Sequence, residues 1–138
     1  NVIWASPHFA EFLEKVVSSG KVERVHIIAS GLGGLLVVDA IFRMSWNASN
    51  GVPMIKNLIL VAPDVDLDLF PAMEKKISEA VDRTTIYVSR EDRVLRSTAS
   101  LVGSPRLGEV PTGRSPLLRI DTIDGLCCTN LSEELRMK

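Results

Sequence analysis

His26-Ile-Ile-Ala-Ser-Gly-Leu-Gly-Gly-Leu-Leu-Val-Val38 is the stretch on which the reading of this chain turns. An apolar run, Val25 to Ala29, has the β-branched character of a buried strand. It passes directly into a turn of small residues, Ala29-Ser30-Gly31-Leu32-Gly33, and a helical pattern from Leu35 to Met44 begins at once. Leu35, Leu36, Val37, Val38, Ala40, Ile41 and Phe42 make that helix apolar nearly all round, with Asp39 the one interruption, which predicts burial.

A strand, a sharp turn and a helix in immediate succession can lift a nucleophile on a strained backbone, provided small residues stand two places to either side of it. Ala29 and Gly33 meet that requirement, and the residue they bracket is Gly31. The turn has the architecture of a nucleophile elbow and no hydroxyl at its centre. Ser30 stands one position too early. A frame centred on Ser30 would put Ile28 and Leu32 where small residues are needed, and a one-residue shift points the side chain elsewhere. Gly31, Gly33 and Gly34 permit a close turn whose backbone N–H groups could meet a small anion or carboxylate. The Gly-Lys-Ser/Thr ending of a phosphate loop is absent.

Outward from the elbow, helices and strands alternate. Pro7 is read as the start of a first helix, in which Phe9, Phe12, Leu13, Val16 and Val17 recur at three- and four-residue spacing until Gly20. After an exposed connection over 45–54, a second strand is predicted over Leu58–Ala62, its unbroken apolar run suited to a sheet covered on both faces. The acidic loop Asp64-Val-Asp-Leu-Asp68 opens a helix with Pro71 in its first turn. A third strand, Thr84–Val88, leads to Asp92, placed to cap a helix from Arg93 to Val102. A loop rich in glycine and proline, 103–116, precedes a fourth strand over Leu117–Ile120; the tail, 131–138, has a mixed charge pattern that admits a helical turn or two. The pattern predicts an α/β fold: a three-layer α/β/α sandwich around a mostly parallel sheet of about four strands, formed by residues 1–138 as one domain.

With 138 residues and 46% hydrophobic content the chain can bury a substantial core. No apolar run reaches the roughly 18 residues of a membrane span, and a soluble protein is expected, with the cytoplasm a compatible location. The start, Asn1-Val-Ile-Trp4, does not read as a secretion signal, and a chain beginning without methionine leaves room for an upstream region. A net charge of −1 with scattered basic residues argues against a nucleic-acid partner. Arg93 and Arg96 read as a solvated helix face. Cys127 and Cys128 are adjacent and stand alone, so neither a disulfide framework nor a cysteine metal site is expected.

Four stretches resemble a family: Arg24-Val-His-Ile-Ile-Ala29 with the elbow, Leu60-Val-Ala-Pro-Asp-Val-Asp66, Ile86-Tyr-Val-Ser-Arg-Glu-Asp92 and Pro105-Arg-Leu-Gly108. Together they look like the later half of an α/β-hydrolase, in particular a bacterial family of hydrolase-like proteins of unknown function. The resemblance implies a truncated α/β-hydrolase fold. Members usually carry histidine, serine, methionine, glycine and asparagine through the elbow; here the series is Ser30, Gly31, Leu32, Gly33 and Gly34, so the nucleophile place falls on Gly31. Asp92 falls where the fold keeps its catalytic acid, a vestigial position that a helix cap would equally explain. Asp64 and Asp66 lie on the rim where ligands sit in open α/β sheets. They could orient a loop or bind a hydrated cation, although the pattern lacks the glycine and terminal glutamate of a calcium loop. No metal and no cofactor is expected.

The general base is missing too. The resemblance calls for a histidine after the last strand, yet Leu126-Cys-Cys-Thr-Asn130 has none; the chain's two histidines are His8 and His26. His26 lies about 15 Å from the elbow tip at strand rise, and His8 is read as a cap or surface residue ahead of the first helix. The expectation is a hydrolase-like protein that has lost serine-hydrolase activity and works by ligand binding or assembly. The alternative is a weak esterase using Ser30, Asp64, Asp92 or groups from a partner chain. With the earlier half of the fold absent, the elbow strand would stand at a sheet edge, an invitation to another chain. A homodimer through that edge, burying the flanks of Val25 and Ile27 in a sheet of about eight strands, leads; a chain that supplies the missing half is the rival.

Overall fold

The computed structural model describes residues 1–44, 55–89, 92–109 and 120–124. Four helices, α1 (Val2–Ser18), α2 (Leu32–Arg43), α3 (Phe70–Ala80) and α4 (Arg93–Val102), alternate with four strands, β1 (His26–Ser30), β2 (Ile55–Val61), β3 (Val81–Val88) and β4 (Ile120–Asp124). The sheet runs β1-β2-β3-β4 in order and every pairing is parallel. Sequential parallel strands need crossovers, and the helices between them provide the connection.

Side-chain alternation along the strands divides the sheet into two unlike faces. Leu58 and Leu60 of β2, Ile86 and Val88 of β3, and Ile27 and Ala29 of β1 turn into one core with Val37, Val38 and Ile41 of α2, Ala10 and Leu13 of α1, and Phe70 and Ile77 of α3. Leu58 and Leu60 are wholly buried, each worth about 1.5–3 kcal/mol over an exposed position. The opposite face carries His26, Ile28, Asn57, Ile59, Thr85, Tyr87 and Ile123; Ile28 is 73% exposed there. The unbroken apolar run of β2 therefore does not have both faces equally covered among the described residues: Ile59 and Val61 are half-buried.

Asp39, the polar break in α2, is buried and satisfied. It accepts from the Ser6 hydroxyl at 2.5 Å and pairs with Arg43 Nε at 2.5 Å, one turn on. Ser6 is itself fully buried, so this bond latches α1 onto α2 through groups that would be costly to bury alone.

Several boundaries differ from the sequence reading. Helix α1 starts at Val2 under an Asn1 side-chain cap, and Pro7 lies inside it. Proline at this depth removes one helical hydrogen bond, but Pro7 is on the exposed side, next to water. His8 is consequently a helix-surface residue, its ring edge-on to Trp4 at 4.9 Å, and not a residue ahead of the helix. β2 and β3 each begin three residues earlier than their apolar runs suggest. The fourth strand is described over Ile120–Asp124, where Asp121 pairs with Arg83 at 3.0 Å; the predicted strand positions 117–119 lie outside the described residues. Val25 and Ile27 already pack against the core, so the apolar flank left at the elbow-strand edge is Ile28. The connection over 45–54, the tail over 131–138, and Cys127 and Cys128 lie outside the described residues.

Candidate functional site

β1 ends at Ser30, α2 begins at Leu32, and the whole change of direction falls on Gly31, at φ 51° and ψ −124°. L-residues rarely hold such a backbone; glycine reaches it without Cβ strain. Three hydrogen bonds fix the bend. The Gly31 N–H donates to Val61 O at 3.1 Å, and Gly31 O accepts from the N–H of Gly34 at 3.1 Å and of Asp64 at 3.0 Å. The elbow is thus tied to the loop that follows β2. The N–H groups of Gly31 and Gly34, offered by the sequence as anion donors, are both engaged within this arrangement.

A Cβ at Gly31 would meet nothing within 4 Å. The place where a nucleophile would project is open, and the backbone is already bent for it. Gly34 is different. A Cβ there would come within 2.9 Å of Pro63 Cβ, so this glycine lets α2 approach the end of β2. Ala29 and Gly33 flank the bend as the motif requires, while Leu32 is exposed.

Ser30 is the last residue of β1, paired with Val61 and exposed on the face away from the helices, whereas Ala29 turns into the core. It is outside the bend. His26 opens the same strand, its Nδ1 2.8 Å from Asn57 Nδ2, four residues before Ser30 and on the same face.

The rim acids are engaged with the protein itself. Asp64 is buried and receives Arg106 twice: Nε donates to Asp64 Oδ1 at 2.6 Å and Nη2 to its backbone carbonyl at 2.7 Å. Asp66 accepts the Ser104 hydroxyl at 2.5 Å and the Asp68 N–H at 2.9 Å, with Arg106 Nη1 at 3.8 Å. The Ser104 hydrogen bond foremost, then the backbone N–H groups of Asp68 and Leu69 and the Arg106 charge, hold the Asp66 carboxyl below its ordinary range against an opposing effect of burial. Both acids orient the loop between β2 and α3. Among the described residues no three histidine, cysteine or acidic side chains gather where a metal ion could sit.

Asp92 caps α4, its Oδ1 accepting from the N–H groups of Val94 at 2.9 Å and Leu95 at 3.0 Å. It follows β3, with that oxygen directed into the helix. Arg93 and Arg96 are both exposed on α4. The loop where a base was sought, 126–130, lies outside the described residues and contains no histidine in any case.

The sequence reading missed Arg106 and Gly108. Gly108 lets the segment after α4 press against the end of β2, since a Cβ would fall 2.6 Å from the carbonyl carbon of Ala62. Ala62 itself holds a φ of 43°, uncommon for a residue with a side chain. The signal lay in Pro105-Arg-Leu-Gly108, an arginine beside a close-approach glycine, but its acidic partners are about forty positions away.

One further concavity lies on the open face. A trough of about 620 Å³ runs over Asn57, Ile59, Arg83, Thr85, Tyr87, Asp121 and Ile123. Neither Gly31, Asp64 nor Asp92 lines it.

Residues 2–133 match the family described as alpha/beta hydrolase of unknown function (DUF900). The chain belongs to that family. No match emerged among curated proteins or among solved structures. The parallel sheet with its connecting helices is consistent with that α/β-hydrolase family. No helix among the described residues is long and apolar enough to cross a membrane.

Proposed function

We propose that this DUF900 chain is a hydrolase-derived protein without serine-hydrolase activity that acts by binding a ligand or by assembly. The observation that carries this reading is Gly31 at φ 51° and ψ −124°, a nucleophile bend with no side chain on it. Acyl transfer by the usual relay needs a hydroxyl, a base to take its proton and an acid to orient the base. Glycine stands in the first place, and Asp92 spends an oxygen on its helix. Asp64 is held by Arg106, so it does not substitute as an acid or base without breaking a buried ion pair.

The assembly favoured is a homodimer through β1. That strand has a neighbour on one side only among the described residues, and its outward side chains include the exposed Ile28. An open apolar edge is a site for pairing with another strand.

The test is incubation with short acyl esters and with a fluorophosphonate that labels active serines. Neither turnover above the uncatalysed rate nor labelling is expected. Stoichiometric labelling of Ser30 would overturn the inactive reading and favour the weak-esterase alternative.

A further inference from the structure

We propose that the elbow, the loop after β2 and the segment 104–109 form one cooperative unit, in which Arg106 decides how tightly the elbow is held. The unit opens and closes as a whole, apart from the central strands. It goes beyond the functional reading above and holds whether the chain binds a ligand or assembles.

Residues 62–67 are gripped from two sides. On one side is the elbow: the Asp64 N–H donates to Gly31 O at 3.0 Å, and Gly34 brings α2 so near that a Cβ there would fall 2.9 Å from Pro63 Cβ. On the other side is the segment 104–109. The Gly108 N–H donates to Pro63 O at 3.0 Å, the Leu107 N–H to Val65 O at 2.7 Å, and the Leu67 N–H to Pro105 O at 3.0 Å. Asp66 and Arg106 are thereby paired antiparallel in a short clamp. Side chains fasten the same two stretches, Arg106 reaching Asp64 through Nε and Nη2, and the Ser104 hydroxyl reaching Asp66.

These contacts depend on one another. Ala62 holds a φ of 43°, and a residue with a side chain keeps such a backbone only where its neighbours over-determine it. Gly108 supplies that pressure, since a Cβ on it would lie 2.6 Å from the Ala62 carbonyl carbon. Asp64 is buried with Arg106 as its charged partner. Deprived of the guanidinium, a buried carboxylate is driven toward water, and the Asp64 N–H leaves Gly31 O with it. The clamp is also separable from the sheet. The Asp66–Arg106 bridge is isolated from the strand ladders, so it can part while β2 and β3 stay paired. Proteins open below the global transition in contiguous units of this kind.

Native-state hydrogen exchange of the full chain, followed amide by amide by NMR in urea below the unfolding transition, tests the proposal. Gly34, Asp64, Leu67, Leu107 and Gly108 should share one opening constant and one urea dependence. Both should differ from those of Leu58 and Leu60 in β2, a strand with neighbours on either side. Arg106→Lys should speed exchange at Gly34 and Asp64 by the same factor as at Leu107 and Gly108, about ten-fold or more for a lost charge-assisted hydrogen bond. Ser6→Ala, which weakens the α1–α2 latch instead, should speed Leu58 and Leu60 and leave the amides of the unit unchanged. The urea series on the unsubstituted chain decides the matter if either variant fails to fold. Different urea dependences for Gly34 and Leu107 overturn the proposal, as does merger of both with Leu58 and Leu60. A Gly34 amide that keeps its parental rate in Arg106→Lys overturns it as well.

Discussion

Arg106 grips Asp64 at two points, side chain and backbone, and both residues are almost wholly shielded from water. Because the Asp64 N–H also donates to Gly31 O, this one arginine links the segment after α4 to the elbow. Arg106→Met would leave a buried carboxylate without its partner, which costs about 3–5 kcal/mol. Urea denaturation should show that loss. Arg106→Lys should recover only part of it, since a single ammonium cannot reproduce the fork of donors.

Asp66 should make stability depend on acidity. Its folded-state carboxyl titrates below the ordinary range, with the Ser104 hydroxyl the foremost cause. The resulting stabilisation is fully present above the unfolded-state value and disappears as pH falls through the lower folded-state value. Ser104→Ala should therefore lower stability at neutral pH, and the gap from the parent should close in acid below the usual carboxylate range. Denaturation midpoints measured over a pH series will show whether the two curves converge.

Gly33 and Gly34 are neighbours in α2 with opposite expected responses to alanine. A methyl on Gly34 is driven against Pro63, whose Cβ would lie 2.9 Å away, whereas one on Gly33 enters open space. Gly34→Ala should destabilise by about 1–3 kcal/mol through overpacking. Gly33→Ala should hold stability or raise it by up to about 1 kcal/mol through helix propensity. Thermal melting of the two variants distinguishes them.

Gly31→Ser should fold, because the space above Gly31 is empty. Holding a side chain at this positive φ should cost about 1–3 kcal/mol. Ester turnover should remain at background with the base missing. Full esterase activity in this variant would reveal a base that the chain's two histidines do not offer at the elbow.

Much of the fold was legible. The apolar runs located the strands and their order, and Asp92 announced the start of α4 as a cap does. The misreadings have physical sources. Pro7 usually marks a helix start, yet here an Asn1 cap starts the helix earlier and the proline is tolerated on its wet side. Asp121 and Asp124, with only two apolar residues in Ile120–Asp124, gave that stretch the look of a loop rather than a strand. At the site, the empty centre of the elbow could be read directly from Gly31. The engagement of Asp64 and Asp66 could not, since it depends on Arg106 and Ser104 arriving from a distant loop.

The all-parallel order also bears on how the chain reaches its folded state. His26 meets Asn57, Leu58 meets Thr84, and Thr84 meets Ile120. These rungs join residues 26–36 positions apart, and such non-local pairing slows folding because loop entropy is lost before contacts repay it. Among the described residues no local hairpin can nucleate this sheet. β2 and β3, which have strand neighbours on both sides among the described residues, are the natural place for ordering to begin.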